Sequence, residues 1–145
     1  MKITLMFSAV LMIICSSFTV LADPTKDIIG KWKIDQASIE GVAKSIINAT
    51  KKSNPDKAQQ LEEHIDILNQ MLESMEFEYK ADNTYEIQTP QGPQQGRWLF
   101  SADGTQLTVT RDGKPDRKDS VLEISPNKLK LINTERGDTT LFIRF

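Results

Sequence analysis

A mainly β fold is expected: an eight-stranded antiparallel up-and-down barrel, or a strongly curved meander, with a helical hairpin inserted between its first and second strands. Three observations predict it. Apolar and polar residues alternate over most of the second half of the 145-residue chain, which is the period of a half-buried strand. Short turns rich in Asp, Asn, Gly and Pro separate those stretches, so neighbours in sequence pair antiparallel. Between about residues 37 and 74 the period changes to three and four, that of an amphipathic helix. A meander leaves two unpaired edges unless it closes on itself, and closure into a barrel removes them.

The chain opens with Lys2 and an almost unbroken apolar run, Ile3 to Val10 and Leu11 to Ile14, then a more mixed stretch ending Val20-Leu21-Ala22. This reads as a secretory signal peptide, residues 1–22, cut between Ala22 and Asp23. Ser16, Ser17 and Thr19 interrupt the run, against a retained spanning helix, which needs about 20 strongly apolar residues. Cys15 offers a second reading, lipidation, although Ile14 stands where a lipoprotein signal places a small residue. Lipidation would tether the protein to a membrane rather than release it. The expected location is secreted or periplasmic.

Cleavage leaves one domain, residues 23–145, in which no cysteine remains. That domain must fold without disulfides. Its 123 residues can bury about two thirds of their unfolded surface, enough for one core. Losing Lys2 leaves 17 Lys and Arg against 20 Asp and Glu, a formal charge near −3, and no basic run exceeds a pair such as Lys51-Lys52. Nucleic acid is therefore not an expected partner, and membrane contact is expected only through Cys15.

The first strand is expected over Gly30-Lys31-Trp32-Lys33-Ile34-Asp35, with Trp32 and Ile34 on its buried face. Ile39, Val42, Ala43, Ile46 and Ile47 then mark one stripe of a helix that Lys51-Lys52 end favourably for its dipole. Ser53-Asn54-Pro55-Asp56 reads as a cap, a first-turn proline and an acidic first turn. One second helix is expected to carry Ala58, Leu61, Ile65, Leu68, Leu72 and Met75 on its apolar face. Strands follow at Met75 to Lys80 and at Tyr85 to Gln88, with Pro90 to Gln95 as a loop. Gly96, Trp98 and Phe100 share a face of the next strand, and Leu107 and Val109 share one after the Ala102-Asp103-Gly104 turn. Asp112-Gly113-Lys114-Pro115 is expected to turn the chain before a strand faced by Leu122 and Ile124. Leu129 and Leu131 mark the seventh strand, and Leu141, Ile143 and Phe145 the eighth, beside Trp32.

These residues carry a resemblance. Ile29-Gly30-Lys31-Trp32 is similar to the Gly-x-Trp opening of lipocalins. The stretch Phe77 to Tyr85, followed by Gly96-Arg97-Trp98-Leu99-Phe100-Ser101-Ala102-Asp103-Gly104-Thr105-Gln106-Leu107-Thr108, looks like the lipocalin-like domains of exported Bacteroidetes-type proteins. The likeness covers most of residues 28–145 apart from the helices. It implies an eight-stranded barrel whose interior holds a small apolar ligand. It also implies an arginine on the last strand packed across the opening tryptophan, for which Arg144 is the candidate, with Gly30, Trp32 and Trp98 as structural residues of the barrel base.

Catalysis is not expected. His64 is the sole histidine, and Glu62-Glu63-His64-Ile65-Asp66 lacks the second histidine of a helical zinc motif. That segment reads as a solvated helix face, and nothing calls for a metal or cofactor. Asn48-Ala49-Thr50 matches a glycosylation acceptor but falls within a helix, and reads as chance. The aromatic residues carry the functional case. Phe77, Tyr79, Tyr85, Ile87, Phe100 and Leu107 are the candidate ligand-binding residues, with the tyrosine hydroxyls fixing orientation. An eight-stranded barrel is only just wide enough for side chains or one small ligand, so a filled interior stands beside the open one. Two functions follow: a non-catalytic extracytoplasmic protein binding a small hydrophobic molecule under the helices, or an envelope structural or protein-interaction module with a filled barrel and an exposed apolar patch along the hairpin. The helices serve as lid or as plug accordingly.

Overall fold

The computed structural model describes residues 23–145; the signal-peptide reading, with Cys15 and the Ala22 cleavage site, lies outside the described residues. Eight strands form a closed antiparallel barrel in which each pairs with its neighbour in sequence and β8 returns to β1. They are β1 Gly30–Ile34, β2 Glu76–Tyr79, β3 Thr84–Thr89, β4 Gly92–Phe100, β5 Gln106–Arg111, β6 Lys114–Ile124, β7 Lys128–Asn133 and β8 Thr139–Arg144. The helices are α1 Pro24–Asp27, ahead of β1, and α2 Gln36–Ser53, α3 Pro55–Glu63 and α4 Ile65–Ser74, between β1 and β2. Strand directions therefore place α2, α3 and α4 at one end of the barrel, with the β3–β4, β5–β6 and β7–β8 turns. Helix α1 lies at the other end, the base.

The base is closed by a short-range knot of interactions. Asp23 caps α1 by accepting from the Thr25 amide, and Pro24 occupies the first turn. Trp32, fully buried, donates from Nε1 to the Ile28 carbonyl at 2.7 Å. Arg144 pairs with Trp32 across the β1–β8 seam, and its guanidinium lies 4.5 Å from the Trp32 ring centroid, a cation–π distance. The same guanidinium donates to the carbonyls of Ile29 at 2.7 Å, Asp27 at 2.6 Å and Pro126. Gly30 makes this approach possible. Its φ is +131°, and a Cβ there would meet Arg144 Nη1 at 2.2 Å. The resemblance had implied Arg144 across Trp32. The expected apolar face of the last strand, by contrast, is reversed: Thr140 and Phe142 are buried, while Phe145 is 53% exposed. The parity that delivers Arg144 to the base turns Leu141 and Ile143 outward.

Three further boundaries differ from expectation. The second helix breaks at His64, whose φ −120° and ψ 35° leave the helical region. Helix α3 packs on α2, whereas α4 touches both α2 and β1, and the break gives α4 its own direction. Pro90 to Gln95 is not a loop: β4 begins at Gly92 and pairs with Thr89. Gln94 and Gln95 carry no apolar signal because this rim of the barrel is exposed on one face and only half-buried on the other. Similarly, β6 starts at Lys114, so the turn is shorter and the strand runs 11 residues. Leu122 is 53% exposed rather than inward, and Val121 packs against the core instead. The register shift between Val121 and Glu123 breaks the alternation there. The Ala102-Asp103-Gly104 turn forms as expected, with Ser101 and Thr105 hydroxyls and the Thr105 amide donating to Asp103 and holding its carboxyl down to about 2.

The helical cap is tied to one side of the barrel. The Asp35 side chain caps α2 by accepting from the Ala37 amide. Ser38 Oγ accepts from the Leu141 amide at 3.0 Å, and Ser45 Oγ donates to Asp138 at 2.8 Å. Ile39, Val42, Ala43 and Ile47 of α2 and Leu68 and Leu72 of α4 join the buried core. Two glycines behave oppositely under substitution. Gly30→Ala is expected to lower stability by about 3 kcal/mol, through the unfavourable φ and the displaced arginine. Gly41, in mid-α2 with nothing within 4 Å of a Cβ, is expected to gain about 0.8 kcal/mol as Ala. Chemical denaturation of the two variants measures both.

Candidate functional site

The lower barrel is packed. Tyr79 and Tyr85 lie with ring centroids 4.9 Å apart, and Trp98 meets Tyr79 edge-on at 6.1 Å and Phe100 at 5.9 Å. Trp98 Nε1 donates to the Lys80 carbonyl at 3.0 Å. Leu107 and Val109 are fully buried in the same layers. Of the sequence-derived candidates, Tyr79, Tyr85, Phe100 and Leu107 sit in this core and do not line an open space. Phe77 and Ile87, nearer the helical end of their strands, do.

A cavity of about 200 Å³ lies under the cap. One wall is apolar, from Val42 and Ile46 of α2, Met71 and Leu72 of α4, and Phe77 and Phe142 of the barrel. The opposite wall is polar, from Arg111, Arg117, Asp119, Asn133, Arg136 and Thr140. The helices thus cover the mouth without filling it. Reading the strands by apolar alternation missed the polar wall, because β6 turns Arg117 and Asp119 inward where an apolar pattern would be sought. The available signal was parity: residues 117 and 119 share the face of Val121 along one uninterrupted strand.

The polar wall is a connected network. Arg117 Nε donates to Asp119 Oδ2 at 2.7 Å, and Arg117 Nη2 to the Tyr79 hydroxyl at 3.4 Å. Asn133 Nδ2 donates to Asp119 Oδ1 at 3.2 Å, while its Oδ1 accepts from the amides of Glu135 and Arg136. Arg136 is paired with Asp138 at 2.8 Å. Burial raises the Asp119 carboxyl above the usual range despite Arg117 and Asn133 beside it, since removing a carboxylate from water disfavours its charge. Burial likewise pushes the Tyr79 and Tyr85 phenols up, so both stay protonated donors at neutral pH. Two buried atoms of this region have no partner among the described residues: the Tyr85 hydroxyl and Arg111 Nε.

Arg111 owes its place to its neighbours in the sheet. It pairs with Gly96 of β4, and the β5–β6 register shifts between Val109 and Arg111. A Cβ on Gly96 would meet the Thr110 carbonyl oxygen at 1.9 Å, so only glycine lets β5 approach β4 this closely. Bulges of this kind re-aim a side chain at a barrel rim.

His64 caps α3 on the exposed outer side and does not line the cavity. Among the described residues no cluster of His, Cys, Asp and Glu forms a metal site, and no helix is long and apolar enough to cross a membrane.

An unsatisfied buried hydroxyl costs about 1–3 kcal/mol, which yields a test on the protein without ligand. Tyr85→Phe is expected to melt at or above the temperature of the unsubstituted protein in a calorimetric scan. A drop in melting temperature would show that the hydroxyl is bonded after all.

No protein-family model and no curated protein matches the chain. Among solved structures it is similar to a lipocalin-like protein from Bacteroides uniformis, at 11% identity over 82% of this chain and 99% of that one, with a TM-score of 0.47. It is also similar to a DUF4847-family protein from Bacteroides vulgatus, at 12% identity over 81% of this chain and 94% of that one, with a TM-score of 0.49. The first is described as lipocalin-like and the second by its family designation, and both come from Bacteroides.

Proposed function

We propose that the chain is a non-catalytic, extracytoplasmic lipocalin-like protein that binds a small, largely hydrophobic molecule between its barrel and its helical cap. The observation that carries this reading is the cavity of about 200 Å³, apolar on the cap side and polar on the β5–β7 side. Ligand sites are concave, mostly apolar, and fixed by a few convergent polar groups. The volume corresponds to about seven waters, at about 30 Å³ each, so the ligand is small. Its route is at the helical end, because Arg144 and Trp32 close the base. The single carboxylate lining the cavity, Asp119, is held by Arg117 and Asn133, which supports binding over general base catalysis. The apolar opening of the sequence supports export. The alternative of an interaction module asks for an apolar patch along the hairpin, and there Ile67, 64% exposed, is the one large exposed hydrophobic side chain among the described residues.

Native mass spectrometry of the protein purified from its own host tests the proposal. A retained small molecule is expected, and Ile46→Trp, which fills the cavity from half-buried α2, is expected to fold and to lose it. An empty protein, or a molecule retained equally by the variant, would overturn the reading.

A further inference from the structure

The polar wall holds more positive charge than its own carboxylates neutralise. Arg117 is matched by Asp119, and Arg136 by Asp138. Arg111 has no ion-pair partner among the described residues, and its Nε is buried with no hydrogen-bond acceptor. The Tyr85 hydroxyl, itself a buried donor without an acceptor, lies in the field of Arg117 and Arg111. Two donors thus go unanswered in one region of the barrel. A neutral apolar ligand would drive water from Arg111 and leave its N–H groups still more costly. An anion would answer Arg111, which lines the cavity, and a guanidinium fork matches the paired oxygens of a carboxylate or a phosphate.

From this we infer that the ligand is a small amphipathic anion, its carboxylate or phosphate head paired with Arg111 and its apolar tail against Val42, Ile46 and Met71 of the cap. This rests on the binding reading above and adds the chemical class of the ligand. The geometry of β4 and β5 serves it: Gly96 and the register shift set Arg111 at the rim, facing the apolar wall. Arg117 stays engaged with Asp119 and Tyr79 as a fixed neighbour that keeps the wall positive.

Calorimetric titration of the protein with octanoate, octyl phosphate, octanol and octylamine tests the inference. At least one of the two anions is expected to bind about tenfold tighter than octanol, with octylamine weakest, and the tighter anion names the head group. Arg111→Met is expected to bring that anion down to about the affinity that octanol has for the unsubstituted protein, and Arg111→Lys to keep part of the preference. The series on the unsubstituted protein decides the matter if Arg111→Met does not fold. Octanol binding as tightly as both anions would overturn the charge inference and leave the ligand-binding reading standing. Failure of all four to bind would overturn both.

Discussion

The structure depends on one seam, where β1 is held between β2 and β8 by Arg144 laid across Trp32. β1 is only five residues long and must close the barrel from both sides. Its backbone ladder is supplemented by a guanidinium that gathers the carbonyls of Asp27, Ile29 and Pro126 near the base. Charge-assisted bonds to backbone carbonyls are among the stronger ones available. Residues 23–145 contain no cysteine, so this clasp rather than a disulfide ties β8 to β1 and the base. Gly30 is its steric condition, and α1 contributes the Asp27 carbonyl.

Closing the base decides where a ligand can go. Two tryptophans, two tyrosines and Phe100 fill the lower barrel, since an eight-stranded barrel has little width to spare. The open volume is displaced to the helical end, where α2 and α4 bridge the mouth without descending into it. The cap is anchored to β8 through Ser38 and to the β7–β8 turn through Ser45. Consequently the apolar cap wall faces the polar β5–β7 wall across the cavity, a division suited to a molecule with two chemically distinct ends.

The sequence disclosed the fold better than the site, for a physical reason. Strands such as β3 and β7 bury one apolar face, so Tyr85, Ile87, Leu129 and Leu131 announce them by alternation. The helical insert announced itself through Ile39, Val42 and Ala43. Where a strand turns polar residues inward, as β6 does with Arg117 and Asp119, or is polar on both faces, as at the start of β4, alternation falls silent, and the first of these stretches builds part of the cavity wall. The last strand misled in the opposite way: Leu141, Ile143 and Phe145 form the more apolar set, yet the base needs Arg144, and its parity prevails. Of the six candidate ligand-binding residues, only Phe77 and Ile87 line the cavity under the cap. The depth of a residue along a strand depends on register, and no single strand contains that information.

The proposed binding is confined to the helical end of the barrel. Amide chemical-shift mapping by NMR during an octanoate titration tests it most directly. Shifts are expected to concentrate at Ile46, Phe77, Arg111 and Thr140, with the base amides of Ile29, Gly30 and Trp32 unmoved. Shifts centred on the base, or on the outer barrel surface around Leu99 and Leu122, would contradict it.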